Sequence, residues 1–483
     1  MRNKLREGIK KPSFILALIL LVFFLKGVFL ATVYPMFTGQ DEARHYNTIQ
    51  YLVQPSGLNL PLNDRYAKTN NDNFSDYNFS QEILQVGQAS GIDRLRSDIF
   101  NTINFSSGYN GRNEAAIDSN GWKPYNYFSY RDIALPGLYH QLGAAIEKAF
   151  ANQNILVRFY SIRIFSVLLG TLAILFAYLI AENVGFPAEY ALLLTAIVAF
   201  QPKLSDYFTN INYDALLIPM FFLFTLGGVL ALKNGLNWKN FSVMLLAAVA
   251  ATLTKGTGLI LCGTLALFIL YFFHEYARRK NPGLLRPFYA FSVLIVVVLF
   301  TFFKQYLPLG GGMGAIMDSL AKYLDKSLTL GHFALTSRTY WGSLGWVNSW
   351  TLSNFTDIIW LIEFIAAIGL VVYLFRKDTP VWLPEKKYIW FLLAMVAVLQ
   401  LGIRAYDWRT FESTGALTLG TPGRYFLPSL VSHVILVATG LGTLLNMGKY
   451  DRYFKPLLAF CFVLLFSLSF YLIFDVIVYR FYL

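Results

Sequence analysis

The sequence predicts an all-α polytopic integral membrane protein with about eleven transmembrane helices, because a helix of roughly 20 apolar residues crosses a bilayer and such runs recur from Ser13 to the C-terminus. Of the 483 residues, 56% are hydrophobic, 17% are aromatic and only 14% are charged. Soluble domains carry about 25% charged residues, so this composition is that of a membrane protein.

The first apolar run is expected to stay in the membrane as a span, since it is about 22 residues long and no A-x-A-like cleavage site follows it. The later runs have similar length, and Lys255 separates two neighbouring ones. The predicted spans are residues 13–34, 159–181, 187–204, 214–232, 240–254, 256–274, 287–306, 355–375, 388–404, 427–447 and 455–478.

The positive charges predict an N-in, C-out topology. The N-terminal "MRNKLREGIKK" is basic, and the alternate loops contain "KNGLNWK", "ARRKNPGLLR", "RKDTPVWLPEKK" and "KYDRYFK". Together these segments hold nearly half of the 40 Lys and Arg residues, as cytoplasmic loops do. The net charge of +12 mostly reflects this bias, so no nucleic-acid partner is predicted.

The non-membrane part of the chain is expected in three extracytoplasmic segments. After the cytoplasmic tail and first span (1–34), the largest is 35–158, with amphipathic helices in "DEARHYNTIQYLV" and "ALPGLYHQLGAAIEKAF". The second segment, 307–354, follows spans 2–7 (159–306). The third segment, 405–426, lies within the C-terminal part that contains spans 8–11 (355–483). Such a large first loop is more typical of an enzyme at the outer face than of a channel or carrier.

The first candidate constellation is Asp41, Glu42 and His45, directly after the first span. Acidic residues are favoured in the first turn of a helix, and Thr38 can act as its N-cap, so the pair also has a purely structural interpretation. His45 lies one helical turn from Asp41 and can orient or tune it. A desolvated carboxylate in this place is a credible general base.

The second constellation lies in "FQPKLSDYFTNINYDALLIP", the short outer turn before the fourth span. Helix capping by Asn212 or Asp214 explains one polar residue, but Lys203 and Asp206 lie there as well, with Asn210 between. Polar residues at membrane depth usually line a site or cavity.

Further cations are expected at the same outer level. Lys255 and Arg424 can snorkel to lipid headgroups, or they can neutralise a lipid phosphate, for which the fork of donors on Arg is well suited. Arg163 is a weaker candidate for that role, and His140 either packs at the interface or donates to substrate. Cys262 and Cys461 both fall in predicted spans and indicate no function. No HExxH, CxxC, P-loop or dinucleotide-binding motif occurs.

These motifs together resemble the GT-C superfamily of glycosyltransferases, over nearly the whole chain. The similar features are "DEARH" after an N-in span, "LPGLYHQL", "NYDALL" opening a span, "RTYWGSLGWVNSW" and "GRYFLPSL". The last two resemble a bacterial branch of polytopic proteins with acidic–acidic–x–x–His after the first span. Members often have Pro or a small residue after "DE", where this chain has Ala43 and Arg44.

The resemblance implies a GT-C-like fold in the bacterial cytoplasmic membrane and sugar transfer at its outer face. The donor would be a polyprenyl-phosphate-linked sugar and the acceptor a glycan of the cell envelope. By the same resemblance Asp41 would be the base of an inverting displacement, with Glu42 as a neighbour or metal ligand and His45 as support. Lys203, Asp214, Lys255 and Arg424 would lie around the donor phosphate or sugar. The residues themselves add Asp206, Asn212 and His140 as candidates for substrate binding. A divalent metal stays open, since no third or fourth ligand is readable.

Two other functions compete with the transferase. A glycan polymerase or ligase would use similar outer-face cations. A transporter or flippase of lipid-linked saccharides predicts charges in mid-span and repeated, interrupted helices, but only Lys26 and Glu363 stand out in mid-span and no internal repeat is evident.

Overall fold

The structure is a computed structural model that describes residues 12–39, 41–53, 136–280, 313–342, 353–417 and 422–478, with isolated positions between these ranges. Its regular elements within these ranges are helical. The α-helices are α1 Pro12–Val33, α2 Glu42–Val53, α3 Leu138–Ala149, α4 Ile155–Asn183, α5 Ala188–Ala199, α6 Pro202–Phe208, α7 Asp214–Asn234, α8 Trp238–Thr254, α9 Leu259–Lys280, α10 Met313–Ser327, α11 Leu330–Trp341, α12 Ser353–Phe375, α13 Lys386–Thr414, α14 Leu430–Met447 and α15 Phe454–Tyr471. Short 3₁₀ segments precede α9 (Gly256–Gly258), α14 (Gly423–Ser429) and α15 (Asp451–Tyr453). The helix α15 continues as a π-helix over Leu472–Val478.

Eight helical segments in the described part of the chain are long and apolar enough to cross a membrane. They contain α1, α4, α7, α9, α12, α13, α14 and α15, whereas α5 and α8 are shorter apolar helices. This supports the predicted all-α polytopic class. The count of eleven spans and the N-in orientation stay predictions, and the predicted span 287–306 lies almost entirely outside the described residues.

The predicted span 187–204 is interrupted between α5 and α6. With 12 residues, α5 is about 18 Å long, too short for a hydrocarbon core of about 30 Å. The carbonyl groups at its end are satisfied from other helices: Lys26 Nζ donates to Ala199 O (2.9 Å) and Ser469 Oγ to Phe200 O (3.1 Å). This break places α6 in the polar turn before α7, so Lys26 serves the fold.

The predicted helix over "DEARHYNTIQYLV" is confirmed as α2, but it begins at Glu42. The expected N-cap at Thr38 is wrong, because the Thr38 hydroxyl donates to Pro35 O (2.8 Å). The Glu42 carboxylate instead accepts a hydrogen bond from the Gly39 N–H (3.1 Å). The second predicted helix is α3, and α2 packs against it.

A buried polar cluster holds α2 and α3 against α4. Tyr46 Oη donates to Glu147 (3.1 Å), and the Arg158 guanidinium pairs with Glu147 and Glu82. Burial raises the pKa of Glu147 to about 7, although the neighbouring Arg158 opposes this shift. The helices α2 and α3 are thus fixed on α4 next to the end of α1.

The predicted span 388–404 is part of a longer helix. The 29-residue α13 continues to Thr414, and its last turns pack against α10. Trp408 Nε1 donates to Ser319 Oγ (3.1 Å), and Tyr323 Oη donates to Asp407 (3.1 Å). Part of the expected third outer loop is therefore helical.

Candidate functional site

The two adjacent carboxylates of "DEARH" point to different surroundings. Glu42 is buried and accepts hydrogen bonds from Arg163 Nε (2.8 Å) and Nη2 (2.7 Å). It also accepts from the backbone N–H groups of Gly39 (3.1 Å) and Ile211 (2.9 Å). With four donors on one carboxylate, Glu42 joins the start of α2 to α4 and to the turn before α7.

Arg163 is saturated in the same way. Besides Glu42, its guanidinium donates to the carbonyl oxygens of Ala31 (2.8 Å), Tyr34 (2.5 Å) and Pro35 (2.9 Å). These carbonyls lie at the end of α1, where a helix leaves its last C=O groups without intrahelical partners. Arg163 is therefore a structural clamp, and no donor is left over for the phosphate role considered from the sequence.

Asp41 is the partly exposed acid of the pair. Its side chain is 40% exposed, and its Oδ2 lies 3.9 Å from Arg424 Nη2, beyond hydrogen-bond distance. The backbone of Asp41 has φ = 58°, in the left-handed region that non-glycine residues seldom adopt. Such conformations persist only where the surrounding structure enforces them, and they concentrate at functional sites.

Arg424 comes from the 3₁₀ segment before α14. Its neighbour Gly423 packs so closely on α11 that a Cβ there would lie 2.3 Å from Thr336 O, which fixes the start of this segment. The Arg424 side chain is 13% exposed, yet its one hydrogen bond within the described residues goes to Tyr425 Oη (3.0 Å). Its buried Nε has no partner there either. A guanidinium has five N–H donors, so this cation has capacity for an anion.

His45 and His140 form a short chain of hydrogen bonds. The Gly137 N–H donates to His140 Nδ1 (3.0 Å), so the proton of a neutral His140 lies on Nε2. That Nε2 lies 2.9 Å from His45 Nδ1 and donates to it, which places the His45 proton on its own Nε2. The backbone of α3 thereby sets the tautomer of His45.

Both imidazoles are held neutral. Burial lowers the pKa of His140 to about 4. Burial also lowers the pKa of His45 well below 6.5, and the charges of His140, Arg44, Lys255 and Arg424 add to this effect. The Tyr213 ring packs edge-on against His45 at 4.5 Å between ring centroids.

The turn between α5 and α7 contains a buried ion pair and a helix cap. Lys203 Nζ donates to Asp206 Oδ2 (2.8 Å), and both side chains are 2% exposed. Asn210 Nδ2 donates to Asp206 O (2.8 Å). Asn212 Oδ1 accepts from the Ala215 N–H (3.1 Å), as an N-cap does. Capping thus explains Asn212, and Lys203 is neutralised by Asp206.

Lys255 and Asp214 form a second, less buried pair. Lys255 Nζ donates to Asp214 Oδ1 (3.0 Å), with side chains 15% and 11% exposed. The ammonium lies over the Tyr213 ring (4.3 Å) and the Tyr425 ring (4.8 Å). Aromatic faces stabilise a cation in this position. The Tyr425 side chain therefore contacts both Lys255 and Arg424.

The expected sites thus fall into two groups. Asp41, His45, His140, Lys255 and Arg424 lie close together, with Asp214 beside Lys255. The expected residues Glu42, Lys203, Asp206 and Asn212 surround this group and are occupied by protein partners.

The described residues contain no group of three or more His, Cys, Asp or Glu side chains that could hold a metal ion.

A family model described as dolichyl-phosphate-mannose-protein mannosyltransferase matches residues 154–306. The match supports a GT-C superfamily glycosyltransferase. It covers less than half of the chain and includes the turn of Lys203 and Asp214 together with Lys255, but neither Asp41 nor Arg424. A search of the curated proteins finds no match. The bacterial branch with "DExxH" stays a prediction, because the matched region begins after that motif.

Two residues of the candidate site were missed by sequence reasoning, Tyr213 and Tyr425, which carry the contacts to Lys255. Arg163 was considered only for phosphate binding, whereas it carries the clamp on Glu42. Tyr213 and Tyr425 do lie inside the quoted motifs "NYDALL" and "GRYFLPSL", next to Asp214 and Arg424. An aromatic residue next to each charged residue was a signal that the sequence contained.

Proposed function

We propose that the protein is a membrane glycosyltransferase that moves a sugar from a polyprenyl-phosphate donor to a glycan acceptor outside the cytoplasm. Two findings support this: the family match over 154–306 and an all-helical fold with eight candidate spans in its described part. The proposal places the protein in a bacterial cytoplasmic membrane with its site at the outer face.

The observation that carries the proposal is the arrangement of Asp41 and Arg424. A largely buried guanidinium with one hydrogen bond in the described structure faces a partly exposed carboxylate 3.9 Å away. Arg binds phosphate through several parallel N–H donors, and a carboxylate accepts the proton of a hydroxyl. A phosphate on Arg424 would place the sugar of the donor next to Asp41.

The proposed reaction is a displacement with inversion at the anomeric carbon. The acceptor hydroxyl gives its proton to Asp41 while its oxygen forms the new bond to the anomeric carbon. The bond from that carbon to the phosphate oxygen breaks, and its electron pair leaves with the polyprenyl phosphate. Arg424 and Lys255 stabilise the negative charge that develops on the leaving phosphate.

The remaining residues receive supporting roles in this proposal. Glu42 holds the loop that presents Asp41, through its pair with Arg163. His140 sets the tautomer of His45, which offers its Nε2–H toward the site as a neutral donor. Asp214 positions Lys255, and the pair Lys203–Asp206 shapes the wall behind.

A transfer assay in membranes tests the proposal. Membranes with wild type, Asp41→Asn or Asp318→Asn at equal expression receive radiolabelled polyprenyl-phosphate sugars and envelope glycans. Asp318 is the matched control, because it is an acid of the expected second outer segment that is 64% exposed and whose ion pair within the described residues is with Lys322. We expect label on glycan with wild type and Asp318→Asn, and none with Asp41→Asn.

Two other results would replace the proposal. Labelled lipid that crosses the bilayer equally with all three proteins, without labelled glycan, would indicate a flippase. Label that appears only when two lipid-linked saccharides are joined would indicate a polymerase or ligase.

A further inference from the structure

Glu363 is an acid in the middle of α12, a predicted membrane span, and the proposed reaction does not use it. Its Oε1 accepts a hydrogen bond from Trp341 Nε1 (3.0 Å) and lies 3.3 Å from His433 Nε2. The other oxygen, Oε2, has no hydrogen-bond partner among the described residues. Acidic side chains within a membrane span are costly and usually mark a site.

His433 on α14 faces Glu363, with its Nε2 3.3 Å from Oε1 but outside hydrogen-bond geometry. Tyr340 Oη lies 3.2 Å from His433 Nδ1. When the Tyr340 hydroxyl donates to Nδ1, the proton of the neutral imidazole lies on Nε2, which faces Glu363. Among the described residues Trp341 Nε1 is thus the hydrogen-bond donor to Oε1, His433 lies beside it, and Oε2 is left as an acceptor.

The position of these groups is fixed by the closest helix contact nearby. A Cβ added to Gly440 would lie 2.0 Å from Ala366 O, so α12 and α14 touch there through their backbones. Ala366 is about one helical turn from Glu363 and Gly440 about two turns from His433. Small residues allow such close packing of membrane helices. The pair Glu363–His433 is therefore carried by a rigid scaffold.

Glu363 and His433 lie at the polar end of an apolar cavity between α5, α12, α14 and α15. The cavity has a volume of ≈ 680 Å³ including its open mouth. Trp341 adds its indole to the polar end, and Cys461 lies on the wall. The aliphatic side chains that line the rest include Leu194, Ile197, Ile359, Val437, Leu458 and Leu465.

We infer that this cavity binds an amphiphile with an alkyl body and a hydrogen-bond donor as its head, which donates to Glu363 Oε2. The Glu363 side chain is 20% exposed, and a carboxylate oxygen that meets an apolar cavity without a partner is unfavourable; a hydroxyl or ammonium head would satisfy it. A phosphate head does not fit, because the carboxylate repels it. The cavity is thus a lipid site separate from that of the sugar donor, and it does not depend on the proposed transfer reaction.

Photo-crosslinking of the protein in lipid nanodiscs tests the inference. Nanodiscs are used because a detergent with a sugar head would compete with the probe for the cavity. The probe is a long-chain alcohol with a diazirine in its chain, and the crosslinked peptides are identified by mass spectrometry. We expect crosslinks to peptides of α14 or α15 that line the cavity. Competition with hexadecanol, hexadecylammonium and hexadecyl phosphate distinguishes the head groups. Hexadecanol or hexadecylammonium should compete at about tenfold lower concentration than hexadecyl phosphate, because one hydrogen bond to a charged group contributes about that factor to the affinity.

Two variants and one control complete the test. Glu363→Leu removes the acceptor, and Ala438→Phe fills the cavity but leaves Glu363 in place; both should lower crosslinking about tenfold. Leu401→Phe is the control, because Leu401 is 69% exposed on the lipid-facing surface. The inference is overturned if crosslinks scatter over the lipid-facing surface and neither variant reduces them, or if hexadecyl phosphate competes as well as the alcohol and the ammonium.

Discussion

Glu42 and Arg163 form a two-point ion pair in the interior, with Nε–Oε1 and Nη2–Oε2 distances of 2.8 and 2.7 Å. Both side chains are fully buried. The next residue back, Asp41, is 40% exposed and has no comparable partner. The two acids of the "DE" dipeptide therefore have different roles: Glu42 fixes the loop, and Asp41 stays partly exposed.

The substitution Glu42→Gln should destabilise the fold. It removes one charge of a buried pair and leaves Arg163 uncompensated, which costs about 3–5 kcal/mol. Asp41→Asn, the neighbouring change, should leave stability almost unaltered because Asp41 is partly exposed and its closest cation is 3.9 Å away. Thermal unfolding of both variants in nanodiscs, followed by tryptophan fluorescence, measures the difference. Equal melting temperatures for Glu42→Gln and wild type would refute the clamp.

Arg424→Gln should impair transfer without unfolding the protein. If Arg424 stabilises the leaving phosphate, its loss should lower kcat by about 100-fold or more, the usual effect of removing a donor to a developing charge. Arg424→Lys should recover only part of the rate, since a point charge replaces a planar fork. Steady-state kinetics with a labelled polyprenyl-phosphate sugar give the answer.

The control for this series is Arg409→Gln, which changes an exposed arginine in the C-terminal part of α13. A similar loss of rate in Arg409→Gln and Arg424→Gln would mean that positive charge in general, and not the position of Arg424, supports activity.

Gly423→Ala should disturb the site through the backbone. The new Cβ would lie 2.3 Å from Thr336 O and 2.4 Å from Tyr340 N, so the segment that carries Arg424 must move. Overpacking of this kind costs about 1–3 kcal/mol. We expect a lower melting temperature and weaker transfer together. Gly331→Ala on α11 is the matched control, because nothing lies within 4 Å of its Cβ; identical behaviour of the two variants would contradict the argument.

The membrane helices could be predicted from the sequence because each long apolar run carries its own signal, independent of the rest of the chain. The break between α5 and α6 could not, although Pro202 follows it. The apolar run continues to Phe200, and the groups that satisfy its last carbonyls, Lys26 and Ser469, come from distant helices. Tertiary hydrogen bonds decide where this helix ends.

The candidate site could be predicted as a set of residues but not as an arrangement. Sequence alone ranked Glu42 beside Asp41 as catalytic, since its partner Arg163 lies 121 positions further along the chain. It likewise could not show that Asp206 neutralises Lys203 while Arg424 keeps donors to spare. Which charge is paired and which is open depends on contacts between helices that no local pattern encodes.

The neutral pair His45–His140 should make the fold sensitive to acid. Burial holds the pKa of His140 at about 4, below the ordinary 6.5 that applies when the chain is unfolded. Between these two values the unfolded chain takes up a proton that the folded chain does not, so stability falls as the pH falls from 6.5 towards 4, by about 3 kcal/mol for His140 alone. Glu147 acts with the opposite sign, because its raised pKa of about 7 lets the folded state take up a proton first.

The measurement is therefore a difference: melting temperatures of wild type and His140→Gln across pH 4–8, in which the contribution of Glu147 cancels. At pH 8 His140→Gln should be less stable than wild type, because it has lost the hydrogen bond to His45. This difference in stability should shrink as the pH falls below 6.5. Parallel curves over the whole range would show that His140 is not held neutral in the folded protein.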